Sequence, residues 1–278
     1  SKMNQEVTVI YKISITNGKI VFRAKGEVPG RVLNQFSMDE YRGYFRIATT
    51  TGHTWGWEPT AKNHIYILDK HLNIVGGLEN LGVTERIYSA RFMGDRAYLV
   101  TFRRTDPLFV IDLKDPLKPK LLGELEIPGY SDYLHPYDGK HIIGVGKETG
   151  VKIALFDVTN PQNPKEISKY EVGSWGTNSY ALKNHKAFLF SKQKNLLVIP
   201  IGKYWKQDAY VFHISVERGI QLTNIISHDN NDDRSWGNQF NSVKRCIYIE
   251  DVLYTISDEM IKLTSLSNGE KISTVQLL

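Results

Sequence analysis

The five tryptophans of this chain all stand in polar stretches punctuated by glycine. Trp55 and Trp57 lie in TGHTWGWEPTAKN, Trp175 in VGSWGTN, Trp205 in GKYWKQD and Trp236 in HDNNDDRSWG. Three are followed directly by glycine, at Gly56, Gly176 and Gly237. An indole in a loop is costly to expose, so each ring either fills a gap between packed elements or offers a stacking platform to a partner. Both readings stand on residue type alone. Under the second, His53, Arg104 and Tyr204 add directional polar contacts beside the rings.

Other residue types offer less. In Asp229-Asn230-Asn231-Asp232-Asp233, the oxygens of Asp229, Asn231 and Asp233 could suit Ca²⁺, a hard ion that takes carboxylate and carbonyl ligands. The run lacks the central glycine and distal glutamate of an EF-hand loop, and the alternative is a solvated polar loop. No other cofactor is indicated. The eight histidines are scattered, with neither the HExxH nor the CxxC spacing of a zinc site. His135, in YLHPYDG, suits a satisfied structural role. Cys246, the one cysteine, sits in RCIYI and reads as a small core residue, since a thiol nucleophile needs a nearby base. There is no GxSxG elbow and no phosphate-binding loop. Ser37, Ser89, Ser131, Ser179 and Ser242 recur without an adjacent base in sequence. A triad gathered from distant segments stays open, because such groups converge in space.

These side chains need a scaffold, and the chain between them is strand-like throughout. Hydrophobic residues make up 41% and charged residues 23%, the proportions of an ordinary soluble domain. No apolar run reaches the roughly 18 residues of a membrane helix. A net charge of +5 is mild and spread along the chain. It lacks the basic, aromatic-bearing cluster of a nucleic-acid groove, so nucleic acid is not an expected partner. The N-terminal SKMNQEV has none of the regions of a signal peptide.

The run 85–129 sets the pattern. It divides into RIYSARF, RAYLVTFRR, PLFVIDL and KLLGELEI, joined by Gly/Pro/Asp turn chemistry. Four such strands form a meander too thin to bury its own faces. The neighbours it needs are units 34–82, 130–173, 177–228 and 238–277, preceded by a hairpin over 6–30 turned at Asn17-Gly18. The endings EVPG and EIPG close the hairpin and the reference run, and Asp69, Asp112 and Asp157 end matching third strands. In 177–228 the stretch AFLFSKQKNLLVIPI predicts an extra or bent strand. The five serines align the first strands, NQFSMDE among them, at spacings of 52, 42, 48 and 63. Four-stranded repeats of this length predict an all-β β-propeller: one domain over 1–278, with five full blades and a half blade at 6–30.

In such a blade the inner-to-outer order of strands places the B–C and D–A loops on one face and the A–B and C–D turns on the other. The turns are short (MGD, PYDG, TNPQNP, SNGE), whereas all five tryptophans fall on the B–C/D–A face. The aligned serines are expected to line the central channel, where small polar side chains pack close to the axis.

The strings LNQFSMDEYRGYFRIATTTG, ERIYSARFMGDRAYLVTFRRTDPLFVIDLKDP, LGELEIPGYSDYLHPYDGKHIIGVGKE and PKEISKY resemble the β-propeller domain of archaeal and bacterial secreted proteins distantly related to WD40 repeats. The resemblance covers nearly the whole chain. It implies a secreted or cell-surface protein with sequence preceding residue 1, of which this is the C-terminal part, and it brings no catalytic residues. The expectation is a non-catalytic module that engages a protein, peptide or glycan at the cell surface through the loop-rich face. The alternatives are an extracellular hydrolase with its site at the channel mouth and a purely structural domain. The half blade, completed or left open, invites self-association through its unpaired edge.

Overall fold

A computed structural model of the chain describes residues 6–102, 106–203, 206–228 and 241–277. The chain divides into two compact units, residues 1–141 with 157–165 and residues 142–156 with 166–278. Its strands assemble into one two-stranded hairpin and five antiparallel sheets of four or five strands. None of its helices is long and apolar enough to cross a membrane among the described residues.

The first unit opens on β1 (Val7–Thr16) and β2 (Lys19–Pro29). Asn17 and Gly18 turn this hairpin at φ 50° and 73°, the left-handed pair that a tight reversal requires. The next sheet contains β3 (Arg31–Val32), β4 (Met38–Tyr41), β5 (Tyr44–Thr51), β6 (Lys62–Leu68) and β7 (Ile74–Leu81), with β3 and β4 both paired to β5. The segment NQFSMDE is not one strand. Asn34 Oδ1 accepts the Phe36 amide at 2.9 Å, which stabilises a 3-10 turn over Gln35–Ser37 before β4 begins. The third sheet comprises β8 (Arg86–Met93), β9 (Arg96–Phe102), β10 (Asp106–Asp112) and β11 (Lys120–Ile127), and β12 (Tyr130–Pro136) follows it.

The second unit carries β13 (His141–Lys147), β14 (Val151–Asp157) and β15 (Lys165–Val172). Then β16 (Thr177–Asn178) and β17 (Leu189–Ser191) both pair with β18 (Leu196–Lys203), which leads to β19 (Asp208–Ser215) and β20 (Gly219–Ile226). The extra strand read from AFLFSKQKNLLVIPI is therefore a divided first strand, interrupted by 3-10 turns that Ser179 and Asn184 cap. The last sheet is β21 (Arg245–Ile249), β22 (Val252–Ile256), β23 (Met260–Ser265) and β24 (Lys271–Gln276).

Burial follows strand position. Middle strands are covered on both faces, so Leu99, Val100, Leu108 and Val110 are all fully buried. Outer strands such as β15 alternate between exposed and covered residues. Third strands end on an aspartate that makes a local turn. Asp69, Asp112 and Asp157 accept the amides of His71, Lys114 and Thr159 at 2.8, 2.9 and 2.8 Å. The hydroxyl of Thr159, and then its amide, hold the Asp157 carboxyl below its usual range.

Outer strands also admit the next repeat's turn. A Cβ on Gly26, Gly76 or Gly123 would stand 2.4, 2.1 or 2.4 Å from the carbonyl oxygen of Leu72, Pro116 or Pro161. These glycines are required by close backbone approach. In the second unit Ser168 makes the comparable contact with its side chain, Oγ accepting the Ile220 amide at 3.0 Å.

Candidate functional site

The insertion between β5 and β6 is pinched at its neck. The amides of Thr60 and Ala61 both donate to the His53 carbonyl, at 2.9 and 3.0 Å, and the Thr84 amide donates to Ala61 O at 2.8 Å. Behind the neck, His64 Nδ1 accepts the Asn80 amide at 3.4 Å, which leaves Nε2–H to donate to Thr51 Oγ1 at 2.9 Å. Burial lowers the pKa of this imidazole, in keeping with a neutral ring in that arrangement. The neck is fixed, and the tip beyond it carries the aromatics.

At the tip His53 Nδ1 donates to Trp55 O at 2.8 Å, and its ring stacks on the Trp55 indole with centroids 4.5 Å apart. Trp55 is 74% exposed and Trp57 wholly exposed at 104%. In the second unit Trp175 is the second residue of a four-residue turn closed by Thr177 N donating to Ser174 O at 2.9 Å, and it is 89% exposed. Gly56 and Gly176 have φ of 93° and 88°, so the Trp-Gly dipeptide places at the bend a glycine able to take that conformation. For these three tryptophans the gap-filling alternative fails, since none of the rings is packed away. Trp205, Trp236, Tyr204, Arg104 and the Asp229–Asn231–Asp233 run lie outside the described residues.

Beside the root of the insertion the first unit holds a cleft of about 390 Å³, lined by Arg31, Leu33, Arg86, Tyr88 and Asp132 among others. Arg31 joins cleft to insertion: its Nη1 donates to Gly52 O at 3.2 Å and pairs with Glu6 at 2.9 Å. The Arg86 guanidinium lies 4.8 Å from the centroid of Tyr88 and donates to its hydroxyl at 3.1 Å. Tyr88, Phe102 and Tyr130 form a mutual aromatic cluster with centroids 4.9 to 5.4 Å apart. Sequence reasoning missed these residues. A signal existed, because Arg31 and Tyr130 each follow a Pro-Gly strand ending.

All five aligned serines are buried. Ser89 Oγ donates to Ser131 O at 2.6 Å, joining first strands of successive repeats, and Ser179 Oγ donates to Pro200 O at 2.5 Å. Ser242 Oγ accepts the Gln207 amide at 3.0 Å. Ser37 Oγ is buried without a hydrogen-bond partner among the described residues. The partners of Ser89, Ser179 and Ser242 are backbone groups, and none of these contacts pairs a serine with a base. Cys246 is fully buried, and that burial raises its thiol to about 12, which leaves it unreactive. Among the described residues no group of three or more His, Cys, Asp or Glu is placed to hold a metal ion.

Fold and surface together define a repeat protein of antiparallel blades that presents aromatic loops. The chain belongs to the β-propeller domain family, whose model matches residues 1–269. It is similar to an uncharacterised protein of Methanocaldococcus jannaschii, 40% identical over 273 residues, which are 98% of this chain and 40% of that protein. An uncharacterised protein of Archaeoglobus fulgidus is also 40% identical, over 96% of this chain and 39% of its own length. The chain thus spans about two-fifths of the length of these relatives. Among solved structures it resembles the periplasmic gluconolactonase PpgL of Pseudomonas aeruginosa, with a TM-score of 0.57 at 8% identity over 99% of this chain and 78% of that one. It also resembles BamB of Moraxella catarrhalis, with a TM-score of 0.53 at 10% identity over 98% and 78% of the two chains. At such identities the likeness shows the fold alone. A propeller fold suggests a binding or scaffold role, and the choice between them rests on the site.

Proposed function

We propose that the chain is a non-catalytic binding module that engages a macromolecular partner through its tryptophan-bearing loops. The observation that carries this reading is the exposure of Trp55, Trp57 and Trp175 on loops fixed by hydrogen bonds. Large rings exposed on loops whose backbone is pinned supply apolar contact area to a partner. The adjoining cleft, with Arg31, Arg86 and Tyr88, adds charged and aromatic contacts of the types enriched at binding hot spots. A protein, peptide or glycan at the cell surface is the partner class. The extracellular setting comes from the resemblance to secreted propellers.

The test is capture of partners from cell-surface extracts on the immobilised chain, compared with a Trp55→Ala/Trp57→Ala variant and an Arg86→Ala variant. A partner retained by the parent and lost or weakened about tenfold or more in the double variant supports the reading. Equal retention by all three removes it.

A further inference from the structure

The cleft beside the root of the β5–β6 insertion carries a donor pair with nothing to bind. Its volume of about 390 Å³ lies at the small end of the range of ligand sites, about 300–1,000 Å³. A space of that size takes the end of a ligand rather than a long stretch of it.

Most of its polar lining is already engaged. Arg31 pairs with Glu6 and donates to Gly52 O. Thr50 Oγ1 donates to Asn63 Oδ1 at 2.8 Å and accepts the Ile87 amide at 3.3 Å. Asp132, the one carboxylate lining the cleft among the described residues, has a partner of its own. Glu85, the neighbour of Arg86 in sequence, accepts the Thr101 hydroxyl through Oε2. Arg86 is the exception. It is exposed, and among the described residues its guanidinium meets Tyr88 and no carboxylate.

Tyr88 supplies the second donor. Its hydroxyl accepts from Arg86 Nη2 at 3.1 Å and keeps its own O–H, which no acceptor takes among the described residues. A hydroxyl that accepts from a cation becomes a stronger donor. Its ring packs against Phe102 and Tyr130, with centroids 5.4 and 5.0 Å away. A guanidinium and a hydroxyl side by side match the two oxygens of a carboxylate, and the charged donor gives the stronger bond. The rest of the lining is apolar. Leu33 is 47% exposed and Val32 half-buried beside it, so the wall next to the donors is open to a hydrocarbon group.

We propose, resting on the preceding reading of this surface as a binding face, that the cleft takes a carboxylate carried on an apolar body, as in the C-terminal residue of a peptide. Arg86 and Tyr88 hold the carboxylate, and the side chain next to it covers Leu33 and Val32. A phosphate, hydrophilic all round, leaves that wall uncovered. The chain's net charge of +5 favours the approach of such an anion.

Chemical-shift titration of the ¹⁵N-labelled chain at low salt tests this, with acetyl-leucine, acetyl-leucinamide, acetyl-glycine and inorganic phosphate at millimolar concentrations. Acetyl-leucine should bind saturably. The amide, which removes only the charge, should bind about tenfold or more weakly, and acetyl-glycine, without the hydrocarbon, several-fold more weakly. Arg86→Gln and Tyr88→Phe, in chains whose far-UV spectrum is unchanged, should each weaken acetyl-leucine about tenfold. Trp55→Ala/Trp57→Ala should leave its binding unchanged. The proposal is overturned if acetyl-leucine does not bind, if the amide, acetyl-glycine or phosphate binds as tightly, or if either cleft variant binds like the parent. Loss of binding in the tryptophan variant also overturns it, since the indoles would then be the site. Macromolecular capture that fails while acetyl-leucine still binds counts against the loop reading alone. Capture that persists without acetyl-leucine binding counts against the cleft alone.

Discussion

At the residue scale, His135 links burial to pH. Its Nδ1 lies 3.1 Å from the Tyr133 hydroxyl, beside Arg91, whose guanidinium stacks 4.1 Å from the Phe36 centroid. Burial first, and the Arg91 charge second, push the imidazole down from 6.5 to about 4. Because the folded pKa lies below the unfolded one, the unfolded chain takes up the proton first. The stability tied to a neutral His135 is therefore complete above about pH 6.5 and is lost as pH falls towards 4, by up to about 3 kcal/mol. Urea unfolding at pH 7 and pH 4.5 should show a smaller loss in His135→Gln than in the parent. Equal losses would contradict the assignment. The histidine was legible in YLHPYDG as a structural residue. Arg91 beside it was not, since the two meet only when strands 44 residues apart in sequence lie together.

At the scale of elements, strands and hairpin turns were read with little error because alternation and Asn-Gly, Gly-Asp and Asp-Pro punctuation act locally. The first strands of two repeats were misjudged where Asn34 and Ser179 cap 3-10 turns. A side-chain oxygen competing for a backbone amide leaves little trace in a hydrophobic pattern. The outer-strand glycines were also opaque, as their reason is a carbonyl about fifty residues or fewer away. Gly76→Ala places a methyl against the Pro116 carbonyl and should cost about 1–3 kcal/mol, read as a lower urea midpoint at unchanged slope. Gly139→Ala, where a Cβ meets nothing within 4 Å and φ is not positive, is the control and should be neutral or slightly stabilising. The account of repeat contacts fails if the two variants behave alike.

For the whole molecule, the repeat was legible because four-stranded units recur, and the family match agrees with it. The site was half legible. Tryptophan is visible as a residue type, but whether it caps a core or faces solvent depends on packing, and five rings that looked alike gave no basis to choose. The hairpin β1–β2 presents Val7, Val9, Tyr11, Ile13 and Ile15 on one exposed face with Ile20 and Phe22. Such a face on a strand paired on one side only, among the described residues, favours association. Sedimentation velocity should show concentration-dependent association of the chain that Ile13→Lys/Ile15→Lys reduces. A parent that stays monomeric at all concentrations would rule this out.

The central claim is that the exposed tryptophans are where a partner binds. The most direct measurement is a thermal-shift screen against short glycans and extended peptides, with tryptophan emission recorded in parallel on the parent and on Trp55→Ala/Trp57→Ala/Trp175→Ala. Because these rings pack against little, the substitutions should change stability by no more than about 0.5 kcal/mol. A ligand at a hundredfold excess over its dissociation constant adds about 2.7 kcal/mol to the parent. The account predicts that such a ligand shifts both midpoint and emission in the parent and neither in the variant. A ligand that raises both midpoints equally, with emission unchanged, would place binding elsewhere and contradict the claim.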